Sequence, residues 1–180
     1  MLTGPLLALS ALAIKLEDGG PIVYRQTRVG KDGVDFDVLK LRTMVVGAEK
    51  IGAGFAVDQG DRRITRVGRI LRRTSIDELP QLWNVVRGDM SVIGPRPTLR
   101  YQVERYDERQ RRRLDVRPGL TGWAQVHGRA TLPWADRIEL DVWYVEHRSP
   151  RVDLEILLRT PLALFRGTYK GQTGGWRPPP

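Results

Sequence analysis

Two carboxylates stand side by side at Asp77 and Glu78, in the run Ser75-Ile76-Asp77-Glu78-Leu79-Pro80-Gln81-Leu82. At a helix start the peptide dipoles favour the ionised carboxylate, which can serve as a nucleophile or a magnesium ligand. The same residues have a structural use. Ser75 and Glu78 have the spacing of a capping box. Alternatively, Asp77 is the N-cap and Pro80 falls in the first turn, where its missing N–H costs nothing. Taken alone, capping is the stronger reading. A second cluster runs from Gly88 to Pro97 and holds Arg96 between Pro95 and Pro97. The prolines stiffen the loop, and Gly94 allows a ligand close to the backbone. A rigid turn with Arg96 on a carboxylate explains it equally well. A third cluster, Arg117 to Arg129, is rich in glycine and arginine, as a phosphate loop would be. It is neither a Walker A loop nor a dinucleotide fingerprint. His127 reads as packed or solvated, and Trp123 as core.

The chain that must position these groups has 180 residues, enough for one domain with a real core. Its 41% hydrophobic and 28% charged residues mark a folded composition. Cysteine is absent, which excludes disulfides and thiolate metal sites, and two histidines argue against a histidine-rich zinc site. The net charge of +9 is carried mainly by arginine, there being only five lysines. Arginine suits nucleic acid, anionic lipid headgroups or a phosphorylated small molecule. A GC-rich coding sequence inflates the same residue, so charge alone decides little.

Leu2 to Leu16 is apolar nearly all round a helix but too short to cross a bilayer, so it is buried in protein or dipped into lipid. It lacks the basic start and cleavage site of a signal peptide. Ile22 to Arg42 reads as a β-hairpin turning at Lys31-Asp32-Gly33. A short helical piece after Met44 and a Gly-rich loop from Gly52 to Gly60 follow. Ile64, Val67, Ile70 and Leu71 have helical spacing, and a further helix begins near Ser75 or Asp77 and runs through Val86. Gly88 to Pro97 is expected to be a loop. Thr98 to Leu114 is expected to be one charged helix with surface ion pairs at spacings of three and four. Trp123 to Val126 is expected to be extended, with helices over Trp134 to His147 and Val152 to Phe165. The result is an α+β fold, mainly helical with a small β-hairpin, in a single domain with a membrane-associated N-terminal helix.

In their order along the chain, these blocks resemble the bacterial sugar transferase family, the monotopic phosphoglycosyl transferases. The resemblance runs from about Pro5 to Thr160. It is carried by Gly20-Pro21-Ile22-Val23-Tyr24-Arg25-Gln26 with Arg28 and Gly30, then by Phe36, Lys40, Arg42, Thr43 and Met44. Arg63 to Gly68, Asp77 to Leu82 and Gly94 to Pro97 come next. Arg117-Pro118-Gly119, Ala124-Gln125-Val126, Gly128-Arg129, Asp141, Tyr144-Val145, Ser149 and Asp153-Leu154 complete the series. The resemblance implies transfer of a sugar-1-phosphate from a UDP-sugar to undecaprenyl phosphate, through a covalent aspartyl sugar-phosphate. This step would initiate exopolysaccharide, O-antigen or other glycan synthesis at the cytoplasmic face of the bacterial inner membrane, with the chain monotopic or peripheral on membrane lipid. Asp77 is then the nucleophile, Glu78 the metal or acceptor partner, and both are candidate ligands of Mg2+. Arg96, Arg117, Gln125, Arg129, Lys40 and Arg42 are the candidate substrate contacts.

It also implies an organisation. Residues 1–18 are the C-terminal half of a re-entrant membrane helix, residues 19–168 the catalytic domain and residues 169–180 a flexible tail. Thr3-Gly4-Pro5 sits where family members break that helix, so the natural chain is expected to extend further upstream. Two rivals remain: a basic nucleic-acid-binding domain, for which no helix-turn-helix or RNA-binding motif is found, and an inactive scaffold of the same fold. The expectation is therefore no nucleic acid partner, with amphipathic and aromatic surface leaving room for a homodimer.

Overall fold

The computed structural model describes residues 3–51, 60–128 and 132–165. The tail expected at 169–180, Arg129 and most of the Gly52 to Gly60 loop lie outside the described residues. Helix α1, Thr3–Asp18, opens the chain. One stripe of it packs inward: Ile14 is buried with Leu41 and Leu71, against Leu7, Ile22, Val67 and Ile76. The other side leaves Leu6, Leu9, Leu12 and Leu16 exposed. Its last turn has two uses. Gly19, in the left-handed region with φ +71, closes the helix. Glu17 accepts from the backbone N–H groups of Arg66 and Val67 at the start of the next helix.

Strands β1, Val23–Val29, and β2, Asp35–Leu41, form the expected antiparallel hairpin, from Val23 opposite Leu41 to Val29 opposite Asp35. The turn uses positive φ at Asp32 and Gly33, residue types that tolerate it. Helix α2, Arg66–Thr74, is capped by Thr65, whose hydroxyl accepts from Gly68 N. Gly68 sits mid-helix because a Cβ there would come 2.1 Å from the Thr43 carbonyl oxygen.

A short turn, Ile76–Glu78, joins α2 to α3, Gln81–Arg87. Neither expected cap forms. Ser75 is left-handed with no side-chain capping bond, and α3 starts only after Pro80, later than either expected start. Ser75 is instead the C-cap of α2, donating its N–H to the Arg72 and Leu71 carbonyls. Asn84 ties α3 to the hairpin: its Nδ2 donates to Asp37 O (2.8 Å) and its Oδ1 accepts from Leu39 N (3.1 Å).

The stretch expected to be a loop contains β3, Ser91–Ile93, paired in parallel with β4, Gly119–Thr121. Such short strands, surrounded by Gly and Pro, carry too little alternation to be read from sequence. The single charged helix is likewise broken, into α4, Arg100–Val103, and α5, Glu108–Arg111, with a final turn Arg112–Leu114. The break is made by Asp107, which accepts from Gln110 N (2.7 Å) as an N-cap, while Gln110 returns to the Asp107 N–H, a reciprocal capping box. The arginines here pair across elements and not along one helix: Arg100 with Asp35, Arg109 with Glu139 and Glu146, Arg112 with Glu146. Trp123–Val126 is a helical turn, α6, and not an extended run. Its Trp123 ring stacks on Trp143 of α7, Trp134–His147, with centroids 4.4 Å apart. Tertiary stacking decides a run whose length fits either period.

Helix α7 closes the second core, in which Val29, Val103, Tyr106, Ile138 and Val142 are buried together. Helix α8, Pro150–Phe165, buries Ile156 and exposes Leu154, Leu157, Leu158 and Leu162. Among the described residues no helix is long and apolar enough to cross a membrane. The architecture is the mainly helical α+β arrangement expected, with the small hairpin at its centre.

Candidate active site

The Ile76–Glu78 turn packs against β2, and this places the two carboxylates in different surroundings. Glu78 turns to the hairpin. Its Oε1 accepts from Lys40 Nζ of β2 at 3.0 Å and from Arg96 NH2 at 2.6 Å. Burial alone would raise the Glu78 carboxyl, but the charges of Arg96 and Lys40 overcome it and hold the group well below the usual carboxylate range, since a nearby opposite charge favours the ionised form. Burial correspondingly lowers the Lys40 ammonium, against the pull of Glu78. Asp77 is 7% exposed, and among the described residues its carboxylate takes part in no hydrogen bond or ion pair. Burial pushes it up to about 6; the Lys40 charge opposes that rise and the Glu78 charge adds to it. Adjacent carboxylates are thus driven apart in proton affinity, the arrangement that gives two acids separate duties.

Arg96 reaches Glu78 from a loop welded at its base. Gly94 N donates to Thr121 O and Gly119 N to Pro95 O, both at 2.9 Å. The backbones are so close that a Cβ on Gly94 would lie 2.4 Å from Arg117 O, and one on Gly119 2.1 Å from Gly94 N. The loop is also held from inside. Buried Arg113 donates to Arg96 O (2.9 Å), to Asp141 Oδ2 (2.5 Å) and to the Tyr106 hydroxyl. Sequence reasoning placed Arg113 on a solvated face and gave Asp141 no role beyond its block. Only the folded break at Asp107 turns Arg113 inward.

Of the other candidates, Lys40 and Arg96 join the carboxylates, and Arg42 does not join that cluster. Its guanidinium pairs with Asp18 at the end of α1 and donates to Pro21 O and Met44 O. Arg117 is exposed, beside the glycine weld. Gln125 is buried in α6, donating from Nε2 to Leu120 O (2.8 Å), while its Oε1 has no hydrogen-bond partner among the described residues. Arg28 was noted only as part of a block, yet it lies on the same hairpin face as Lys40. The alternation of Tyr24, Gln26 and Arg28 along β1 was the available signal.

Among the described residues no group of three or more acidic or histidine side chains is arranged to hold a metal. Magnesium does not need such a cage; it binds through one or two carboxylates and takes phosphate and water for the rest. Asp77 and the Oε2 of Glu78, which neither Lys40 nor Arg96 uses, fit that requirement.

The sequence profile described as bacterial sugar transferase matches residues 1–167. The chain is 50% identical over 173 residues to the UDP-glucose:undecaprenyl-phosphate glucose-1-phosphate transferase of Caulobacter vibrioides, covering 91% of this chain and 64% of that one. It is 44% identical over 172 residues to the UDP-N-acetylgalactosamine-undecaprenyl-phosphate N-acetylgalactosaminephosphotransferase of Aeromonas hydrophila, covering 92% and 40%. It is 42% identical over 158 residues to the sugar transferase EpsL of Bacillus subtilis, covering 88% and 77%. The chain thus spans less than two thirds of two of these three relatives.

Proposed function

The chain belongs to the bacterial sugar transferase family, and from that premise we propose that it transfers a sugar-1-phosphate from a UDP-sugar to undecaprenyl phosphate through a covalent intermediate on Asp77. The observation that carries this reading is the contrast within the pair. Glu78 is clamped by two cations, while Asp77 is unpaired among the described residues and burial pushes its carboxyl up to about 6. An ionised but poorly solvated carboxylate is a competent nucleophile.

The Asp77 carboxylate attacks the phosphorus that bears the sugar, the bond to the bridging oxygen breaks, and UMP departs with that electron pair. A phosphate oxygen of the acceptor then attacks the same phosphorus and Asp77 is released as a carboxylate. Arg96 and Lys40 lie where negative charge on the phosphoryl oxygens must be offset, and Glu78 fixes both cations before substrate arrives. Magnesium held by Asp77 and Glu78 with the donor's phosphates would neutralise further charge.

The reading places the chain at the cytoplasmic face of the inner membrane. The exposed leucines of α1 and α8 support contact with lipid. A nucleic-acid role is not favoured, because Arg100, Arg109, Arg112 and Arg113 are engaged in ion pairs. The test is a panel of UDP-sugars with polyprenyl phosphate and magnesium in detergent. Release of UMP, with a sugar-phosphate adduct that Asp77→Asn abolishes, is expected. Release of UDP, or an adduct surviving Asp77→Asn, overturns the mechanism.

A further inference from the structure

Beside the Arg96–Glu78–Lys40 cluster stands a cation that no carboxylate of the described residues pairs with. Arg28 occupies the same face of β1 as Tyr24 and Gln26, and Tyr24 lies directly opposite Lys40 on β2. The Arg28 side chain is half-buried. Its partners are neutral: Nε and NH2 donate to Gln26 Oε1, and NH1 donates to Pro97 O at 3.3 Å. A guanidinium has five N–H donors, so these three bonds leave two unused. Arg96 repels it, while the phenols of Tyr24 and Tyr101 and, more weakly, the Glu78 carboxylate favour its charge. Burial, and Arg96 after it, lower the guanidinium to about 10, as expected for a partly desolvated cation beside a like charge and outside any ion pair.

The local charges do not balance. Lys40 and Arg96 both pair with Glu78, and among the described residues no carboxylate pairs with Arg28. Arg28 donates to the carbonyl of Pro97, the residue after Arg96; neighbouring guanidinium groups repel unless an anion bridges them, and phosphate oxygens match their geometry. We propose that Arg28, together with Arg96, forms a phosphate-binding subsite that receives a phosphate group of one of the two substrates. This rests on the transfer reaction proposed above for which substrate is bound, but not for the binding of phosphate itself. Pro97 O gives Arg28 a second, structural use, as a pin on the Arg96 loop, and the test must separate the two.

Three variants of the full chain do so: Arg28→Lys keeps the charge, Arg28→Gln keeps an N–H donor for Pro97 O without the charge, and Arg25→Gln alters an exposed arginine on the opposite face of the strand. The probe is inorganic pyrophosphate, titrated calorimetrically without magnesium or acceptor. Arg28→Gln should weaken its binding about tenfold to a hundredfold, the range for losing a hydrogen-bonded charge. Arg28→Lys, which keeps the charge but not the fork, should lose clearly less than Arg28→Gln, and Arg25→Gln should bind as the unaltered protein does. Undiminished binding in Arg28→Gln overturns the subsite, as does an equal loss in Arg28→Gln and Arg28→Lys accompanied by a lower melting temperature. Two kinetic arms then identify the source of the phosphate. A slowed burst of UMP without acceptor, with normal discharge of the adduct, assigns it to the donor's diphosphate. A normal burst with slowed discharge assigns it to the polyprenyl phosphate. Both arms unchanged removes Arg28 from substrate binding. Absence of any UMP burst in the unaltered protein refutes the reaction, while the pyrophosphate comparison still decides Arg28.

Discussion

Replacing Asp77 by Asn should make the protein more stable while abolishing its covalent adduct. The side chain is almost fully buried, and burial raises its carboxyl from 3.8 to about 6. That rise corresponds to about 3 kcal/mol, at about 1.4 kcal/mol for each tenfold change in proton affinity. The sign follows from proton counting. Below about pH 4 the group is protonated in both folded and unfolded chains, so it costs nothing. Between about 4 and 6 the unfolded chain releases its proton and the folded one retains it, so stability falls as pH rises. Above about 6 the folded chain carries the full penalty of a buried, unpaired charge. Asparagine preserves the shape without the charge. At pH 7.5 the variant should therefore gain up to about 3 kcal/mol, or about 6–12 °C in melting temperature for a chain of this size. The gain should shrink steadily as the pH falls from 6 to 4. Thermal unfolding of both proteins in the same mild detergent, at half-unit steps of pH, measures the difference directly. A variant no more stable at pH 7.5, or a gain of equal size at pH 4 and 7.5, would refute the claim that burial strains Asp77.

Three further outcomes are expected. The UMP burst should fall about tenfold per pH unit below an apparent pKa of about 6, as the Asp77 nucleophile is protonated; a burst that stays flat down to pH 5, measured by rapid quench, contradicts this. Gly94→Ala would drive a Cβ to 2.4 Å from the Arg117 carbonyl oxygen. It should cost about 1–3 kcal/mol in urea unfolding and displace Arg96, lowering kcat/KM on the order of a hundredfold. Asp141→Asn strands the buried Arg113 charge and should cost about 3–5 kcal/mol, whereas the double variant Arg113→Met with Asp141→Asn should recover most of that stability.

The hairpin was legible because alternation and the Lys31-Asp32-Gly33 turn act over neighbouring residues. Helices α1, α7 and α8 were legible because each is long enough to show its period. The shortest elements were not, since β3, β4 and α6 exist by virtue of partners distant in the chain. The carboxylate pair was visible from sequence, and the family resemblance implied separate roles for it, but the contrast in surroundings between Asp77 and Glu78 was not visible. The capping reading failed because Ser75 closes the preceding helix, which frees Glu78 to meet Lys40 and Arg96. Arg113 shows the limit most plainly. Nothing in a run of arginines says which one turns inward, and the answer depends on Asp141, far along the chain.

The glycine weld between β3 and β4 also sets an order of assembly. Ser91 pairs with Gly119 and Ile93 with Thr121. The parallel contact therefore closes a long loop, and the entropy of that closure is lost before any hydrogen bond offsets it. A chain emerging from the ribosome carries Asp77 and Glu78 long before Thr121 exists to accept from Gly94. Until then Arg96 has no fixed base from which to reach Glu78, and Glu78 has only Lys40 as its partner. The two-cation clamp on Glu78 is therefore completed only at a late stage of folding. An incomplete chain would hold both carboxylates without the second cation that keeps Glu78 ionised.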